Sequence, residues 1–333
     1  MLESRQMKSL EVEQVGRERS TGLGKGSFFV RNNVRVLLCV AVIALLVGLP
    51  SYRVAGQSTE KQQEKPAGQP PAKSGDRAKD QPKENKQSSA LSPVEAIVET
   101  AILVHGGRAA LKTARSGVRE EGTIRLATDD GEISGSYLLR QMRKEKSWED
   151  LLRTDLELNT PENMRPASAP ASLKYVVAYN GASVWAARNG QYITAQPQTE
   201  LAFKAQLTHG YDTLLRYKED GSKLELVGSE TVTGVETNVI DLTTPNGEKT
   251  RYWLSKKFFR VLHLEYELTL PKADKPTKFH VSFFPPLKVV QNTLVPARRV
   301  TLQDGKFAQE IAVSSITLSA KLNPEIFQYL QNE

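Results

Sequence analysis

One stretch restricts this chain more than any other: Arg251–Leu268, RYWLSKKFFRVLHLEYEL. Its second half alternates, with Leu262, Leu264, Tyr266 and Leu268 on one side and Val261, His263, Glu265 and Glu267 on the other. Successive side chains of a strand leave on opposite faces, so this segment has one apolar face and one mostly wet face. Thr250–Ser255 is a shorter strand carrying Tyr252 and Trp253, and Ser255–Phe259 is the turn between the two. A sheet with a single apolar face has to cover it with helices, a ligand or both.

The rest of the chain supplies partners for that hairpin. Asn180-Gly181 joins Leu173–Tyr179 to Ser183–Ala187, a strong hairpin signal. Strand patterns also cover Val118–Ala127, Glu132–Arg143 and Trp148–Leu158, and recur from Lys223 to Leu318, ending in Lys278–Phe284, Leu294–Leu302 and Phe307–Leu318. Asp129-Asp130-Gly131, Pro245-Asn246-Gly247 and Asp304-Gly305 read as turns. Helical patterns are few. Ser92-Pro93 caps a helix running to about Val104, Arg108–Arg115 is a second, and Glu200–Thr208, Asp212–Tyr217 and a short piece after Asn323 follow. Strands joined by short turns argue for antiparallel pairing. The expected fold class is α+β: a large curved antiparallel sheet, an incomplete barrel of ten or eleven strands, with a few helices covering its concave side.

The chain has 333 residues and a net charge of +7, and that charge is unevenly placed. Residues 1–56 carry +4, residues 57–92 carry +2 and residues 93–333 only +1. The folded part is nearly neutral, which removes the main support for a nucleic-acid partner. Val36–Leu49 is an apolar run of fourteen residues after a basic segment. It is short of the roughly 20 residues of a membrane span and suits a signal-peptide core, with Val54-Ala55-Gly56 as a cleavage signal; retention as a membrane anchor is the alternative. Residues 57–92 have almost no apolar content and are expected to form a disordered linker. The expected organisation is therefore 1–56 as cytoplasmic n-region plus signal peptide or anchor, 57–92 as linker and 93–333 as one domain. The expected location is the periplasm, free or held at the inner membrane. The sole cysteine, Cys39, lies in the apolar run, so the domain has no disulfide, thiol nucleophile or Cys-based metal site.

A search for chemistry finds no G-x-S-x-G, H-E-x-x-H, phosphate loop or dinucleotide fingerprint. His263 and Glu265 share a strand face, an arrangement that suits either a metal or an ordinary wet face, and the wet face is the reading adopted. His105 and His209 stand at helix ends, where a cation favours the dipole. Glu120 and Glu121 point to opposite faces of one strand. Lys256-Lys257-Phe258-Phe259 is a basic, aromatic turn that suits an anionic lipid surface or a solvated tip. No catalytic residue, cofactor or metal is expected. The strand aromatics remain, either as core or as the wall of an acyl-chain cavity; the candidates for that wall are Leu262, Leu264, Tyr266, Leu268, Tyr252, Trp185 and Tyr175.

The order of several short motifs carries a resemblance. Gly106-Gly107-Arg108-Ala109-Ala110-Leu111 closes the first helix, and Val176–Trp185 reads V-V-A-Y-N-G-x-x-V-W. Tyr252-Trp253-Leu254-Ser255, Val295-Pro296-Ala297-Arg298 and Asn323-Pro324-x-x-Phe327 follow. Over about residues 93–333 this order is similar to the LolA-like superfamily of periplasmic lipoprotein-sorting carriers and lipid-binding relatives. Ser255 stands where such proteins often have aspartate. The resemblance implies an incomplete barrel closed by helices, and a non-enzymatic protein holding lipid or lipoprotein acyl chains. An anchored envelope sensor that uses the same fold to bind a membrane protein is the alternative it implies.

Overall fold

The computed structural model describes residues 91–128, 131–159, 170–271 and 273–329. The expected leader, all but the last two residues of the expected linker, and the expected Asp129-Asp130 turn lie outside the described residues.

The domain opens with α1 (Pro93–Val104). Ser92 accepts the Glu95 backbone N–H on its hydroxyl, and the Glu95 carboxylate takes the Ser92 N–H at 3.0 Å, a reciprocal cap. That hydrogen bonding from Ser92 lowers the Glu95 pKa. After the Gly106-Gly107 break comes α2 (Arg108–Ala114). Six strands follow: β1 (Gly117–Thr128), β2 (Gly131–Met142), β3 (Leu151–Asn159), β4 (Ser172–Tyr179), β5 (Val184–Arg188) and β6 (Gln191–Ile193). Three helices interrupt them: α3 (Pro197–Thr208), α4 (Tyr211–Leu215) and α5 (Tyr217–Asp220). Seven more strands complete the sheet: β7 (Lys223–Val232), β8 (Val235–Thr243), β9 (Lys249–Ser255), β10 (Val261–Leu268), β11 (Thr277–Val290), β12 (Thr293–Gln303) and β13 (Lys306–Leu318). The chain then makes one 3-10 turn at Pro324–Phe327, shorter than the helix expected there.

The thirteen strands of the described residues form one sheet, in the order β6-β5-β4-β3-β2-β1-β13-β12-β11-β10-β9-β8-β7. Every described pairing is antiparallel, and β1 beside β13 joins the two halves of the chain. The architecture is thus the open, curved antiparallel sheet with helices that the sequence implies, with more strands than the expected ten or eleven. Three differences are local. The three-residue β6 is too short to register as a pattern. Trp148 stands in a 3-10 turn, and its strand begins only at Leu151. β11 also runs through Pro285-Pro286, beyond the expected end at Phe284. Proline cannot donate to a ladder, and the register skips there, from Phe284 opposite Arg298 to Leu287 opposite Pro296.

A second bulge corrects the hairpin that constrained the sequence. Val261 pairs with Leu254 and His263 with Trp253, which leaves Leu262 as the extra residue. The bulge reverses the alternation, so Val261 is buried with Leu264 in the core and Leu262 drops out of the inward row. Leu264, Tyr266 and Leu268 keep their inward places; His263, Glu265 and Glu267 leave on the other face.

The concave face carries most of the core. α1 and α4 pack on the β7–β10 wall through Val98, Ile102, Leu214, Ile240, Tyr252 and Leu254. α3 reaches both walls: Phe203 and Leu207 meet Leu152, Val177 and Val184, while Ala205 meets Leu268 and Phe279. Among the described residues no helix is long and apolar enough to cross a membrane.

Candidate functional site: a cavity under the helices

Between α3–α4 and the concave sheet lies a cavity of about 270 Å³. Its apolar wall comes from both sides. Phe203 and Leu207 descend from α3, while Leu139, Leu264, Tyr266, Phe279, Val281 and Phe283 rise from the strands. Strand parity explains the sheet contribution: Leu264 lies opposite Val281, and Tyr266 opposite Phe279. The Tyr266 ring stacks on Phe279 at 5.1 Å and on His209 at 4.2 Å.

The cavity also has polar walls, and each is organised around an ion pair. Arg299 on β12 contacts Glu120 on β1 at 2.7 Å, and Tyr137 donates its hydroxyl proton to the same carboxylate. Burial raises the Tyr137 pKa well above the tyrosine range, and the negative Glu120 adds to it. Burial alone would lower the proton affinity of Arg299, but Glu120 and Tyr137 outweigh it and the net shift is upward. At the helical side Arg115 pairs with Asp212 and donates to the Leu294 carbonyl at 3.3 Å. Below α4, Arg216 meets Asp150 at 2.8 Å with both side chains almost fully buried. Gln141 and the Lys144 N–H also donate to Asp150, at 2.9 and 2.7 Å. Burial raises the Asp150 pKa, and these donors oppose it.

The two helix-end histidines are buried, contrary to the charged role expected for them. The Ala101 carbonyl only accepts, so His105 Nδ1 carries the proton and donates at 2.6 Å. His105 Nε2 therefore accepts from the Tyr211 hydroxyl. His209 Nδ1 lies 2.7 Å from the Thr250 hydroxyl, and burial lowers its pKa to about 4. Burial lowers the His105 pKa as well. A neutral imidazole is the form a dry site favours.

The expected wall residues divide. Leu264 and Tyr266 line the cavity. Leu268 is on the same face but packs under α3, and Leu262 occupies the bulge. Tyr252 is wholly buried beneath α4 and donates to the Gly210 carbonyl at 2.9 Å. Tyr175 lies on the concave face among Leu156, Leu158 and Leu126, away from the cavity. Trp185 is on the opposite face of β5, beside Ala178 and Ala187, and donates to the Phe327 carbonyl at 2.7 Å. Aromatic content singled it out, but the register Trp185–Ala178 turns it outward while Ala186–Val177 faces α3. Sequence reasoning missed the α3 side, Phe203 and Leu207, and the charged set Arg115, Glu120 and Arg299. Only Glu120 carried a usable signal, its facing opposite to Glu121.

On the outer face, His263 Nδ1 is 2.8 Å from the Ser282 hydroxyl and 3.2 Å from His280 Nε2. His280 Nδ1 is 3.7 Å from Glu265, and Glu265 pairs with Lys278 at 2.7 Å. Among the described residues no three His, Cys, Asp or Glu side chains are placed to hold a metal ion.

No protein-family model and no curated protein matches the chain. Solved structures do. A DUF1329 family protein from Desulfovibrio piger is 15% identical, with a TM-score of 0.45 over 72% of this chain and 98% of that one. A putative outer membrane lipoprotein-sorting protein domain from Vibrio parahaemolyticus is 12% identical, with a TM-score of 0.44 over 70% and 94%. A LolA superfamily protein from Nitrosomonas europaea is 14% identical, with a TM-score of 0.43 over 72% and 98%.

Proposed function

We propose that this chain is a non-enzymatic, exported binding protein that holds one acyl chain of a lipid or lipoprotein between α3 and the concave sheet. The observation that carries this reading is the cavity itself, walled by Phe203, Leu207, Leu264, Phe279 and Val281 from opposite sides. Apolar side chains facing each other across empty space lose the contacts a packed core would give them. A methylene chain restores those contacts, and each CH₂ withdrawn from water contributes about 0.8 kcal/mol. The volume of about 270 Å³ lies just below the roughly 300–1,000 Å³ of ligand pockets, which favours a single chain. The ion pairs at its edges then face the polar head or the ester region of the guest. Each charged wall residue already has a protein partner, so these groups are held in place to orient a guest.

The test is to isolate the protein under native conditions, extract it with organic solvent and identify the released lipids by mass spectrometry. A stoichiometric acyl lipid is the expected result. Leu264→Trp fills the space from the sheet side and should displace the lipid while leaving the fold intact by circular dichroism. An empty wild-type cavity that also refuses a fluorescent fatty acid after delipidation would falsify this reading.

A further inference from the structure

One end of the sheet combines exposed apolar side chains with unpaired cations. The β9–β10 turn reads Ser255-Lys256-Lys257-Phe258-Phe259-Arg260. Its backbone is well fixed: Ser255 Oγ accepts the Phe258 N–H at 3.2 Å, and the Phe259 N–H bonds the Ser255 carbonyl at 2.8 Å. Ser255 thus braces the turn from inside, where it is fully buried. Phe259 folds under and packs with the α1 cluster. Phe258 does the opposite and stays 48% exposed. The Lys257 ammonium lies 5.2 Å from its ring centre and the Arg260 guanidinium 5.5 Å. Among the described residues Lys256, Lys257 and Arg260 form no ion pair.

Two more apolar tips share this end. The β11–β12 hairpin carries Val289, 70% exposed, and the last turn of α1 carries Leu103, 72% exposed. These two are neighbours: a Cβ on Gly106, just after α1, would come within 2.7 Å of the Asn292 carbonyl oxygen in the hairpin. Separate projecting tips do not make a groove for a peptide or helix. They suit a soft, deformable surface that each tip enters independently. Apolar side chains flanked by cations are the pattern that partitions into the headgroup region of an acidic bilayer. The sequence also places the fourteen-residue apolar run Val36–Leu49 ahead of this domain, with residues 50–92 as the connecting length.

We infer that this end docks on an anionic phospholipid bilayer, with Phe258 entering the headgroup layer and Lys256 and Lys257 meeting lipid phosphates, while the half-buried Arg260 holds the Phe258 ring from beneath. Leu103 and Val289 form the adjoining contact. The cavity's Arg115, Val118, Val295 and Leu318 belong to the strand and helix ends on this side. Docking is nonetheless separate from cavity occupancy, and either can hold without the other.

The test uses the full chain with Cys39→Ser and one environment-sensitive fluorophore, attached through Phe258→Cys or through Lys306→Cys at the exposed start of β13. The probes are vesicles of phosphatidylglycerol with phosphatidylcholine, against phosphatidylcholine alone. A blue shift at position 258 with the acidic vesicles, absent at position 306 and lost in about 1 M salt, is expected, since screening there shrinks to about 3 Å. Lys256→Glu and Lys257→Glu, each on the otherwise unlabelled chain, should weaken acidic-vesicle binding roughly fivefold or more apiece. Equal shifts at 258 and 306, or vesicle binding with no shift at 258, overturn the proposal, because the leader alone would produce that pattern. A shift at 258 that requires added membrane protein also overturns it. The lipid extracted from the cavity is read separately and is unaffected by any of these outcomes.

Discussion

The histidines show how burial sets chemistry one residue at a time. Burial lowers all four pKa values, with His209 and His263 falling to about 4. The unfolded chain titrates near 6.5, so between pH 6.5 and 4 it binds protons that the folded state refuses. Stability is therefore full above pH 6.5 and falls as pH drops towards 4. For His209 alone the loss approaches about 3 kcal/mol, from about 1.4 kcal/mol per pKa unit. Urea unfolding between pH 7.5 and about 4.5 should show this slope, and His209→Gln should flatten it. An unchanged slope would remove His209 as a contributor. Gly122 acts through shape at the same scale. A Cβ there would lie 2.1 Å from the Ala312 carbonyl oxygen and 2.8 Å from the Tyr137 ring. Gly122→Ala should then cost about 1–3 kcal/mol and loosen the Tyr137–Glu120 contact, seen as altered near-ultraviolet circular dichroism.

At the scale of elements, α4 and α5 are pinned by buried polar contacts. Asp220 takes the Ser147 N–H and hydroxyl at 2.9 and 2.7 Å, and Arg216 takes Asp150. Removing one member of a buried pair strands the other's charge. Arg216→Met should destabilise the domain by about 3–5 kcal/mol at pH 7, with a smaller loss in acid where Asp150 gains a proton. Thermal melts at two pH values measure this. The elements themselves were largely legible in the sequence: period-two alternation, Asn-Gly and Asp-Gly turns, and the Ser92 cap gave most strands and α1. The site was legible only in part. Leu264 and Tyr266 follow from alternation within one strand. Phe203, Arg115 and Arg299 depend on which helix face meets which strand, a pairing between distant segments that no local period encodes. Bulges were invisible for the same reason: the extra residue at Leu262 is defined by its partner strand.

For the whole molecule, the cavity ties ligand to stability. A guest that binds only the folded state stabilises it by about 2.7 kcal/mol at a hundredfold excess over its Kd. Protein stripped of lipid should accordingly melt lower than the same preparation with fatty acid restored, and Leu264→Trp should abolish that difference. Equal melting temperatures in all three cases would argue for a passive void. The sheet's two outermost strands, β6 and β7, are joined in sequence through α3–α5, Pro197–Asp220. The roof over the cavity is therefore one uninterrupted insertion between the two rims of a thirteen-strand shell. Lifting it takes apart helix contacts and the Arg216–Asp150 clasp, yet leaves every rung of the strand ladder in place. The helical cover and the strand ladder are thus separable parts of one chain, tied to each other by side chains and not by shared backbone rungs.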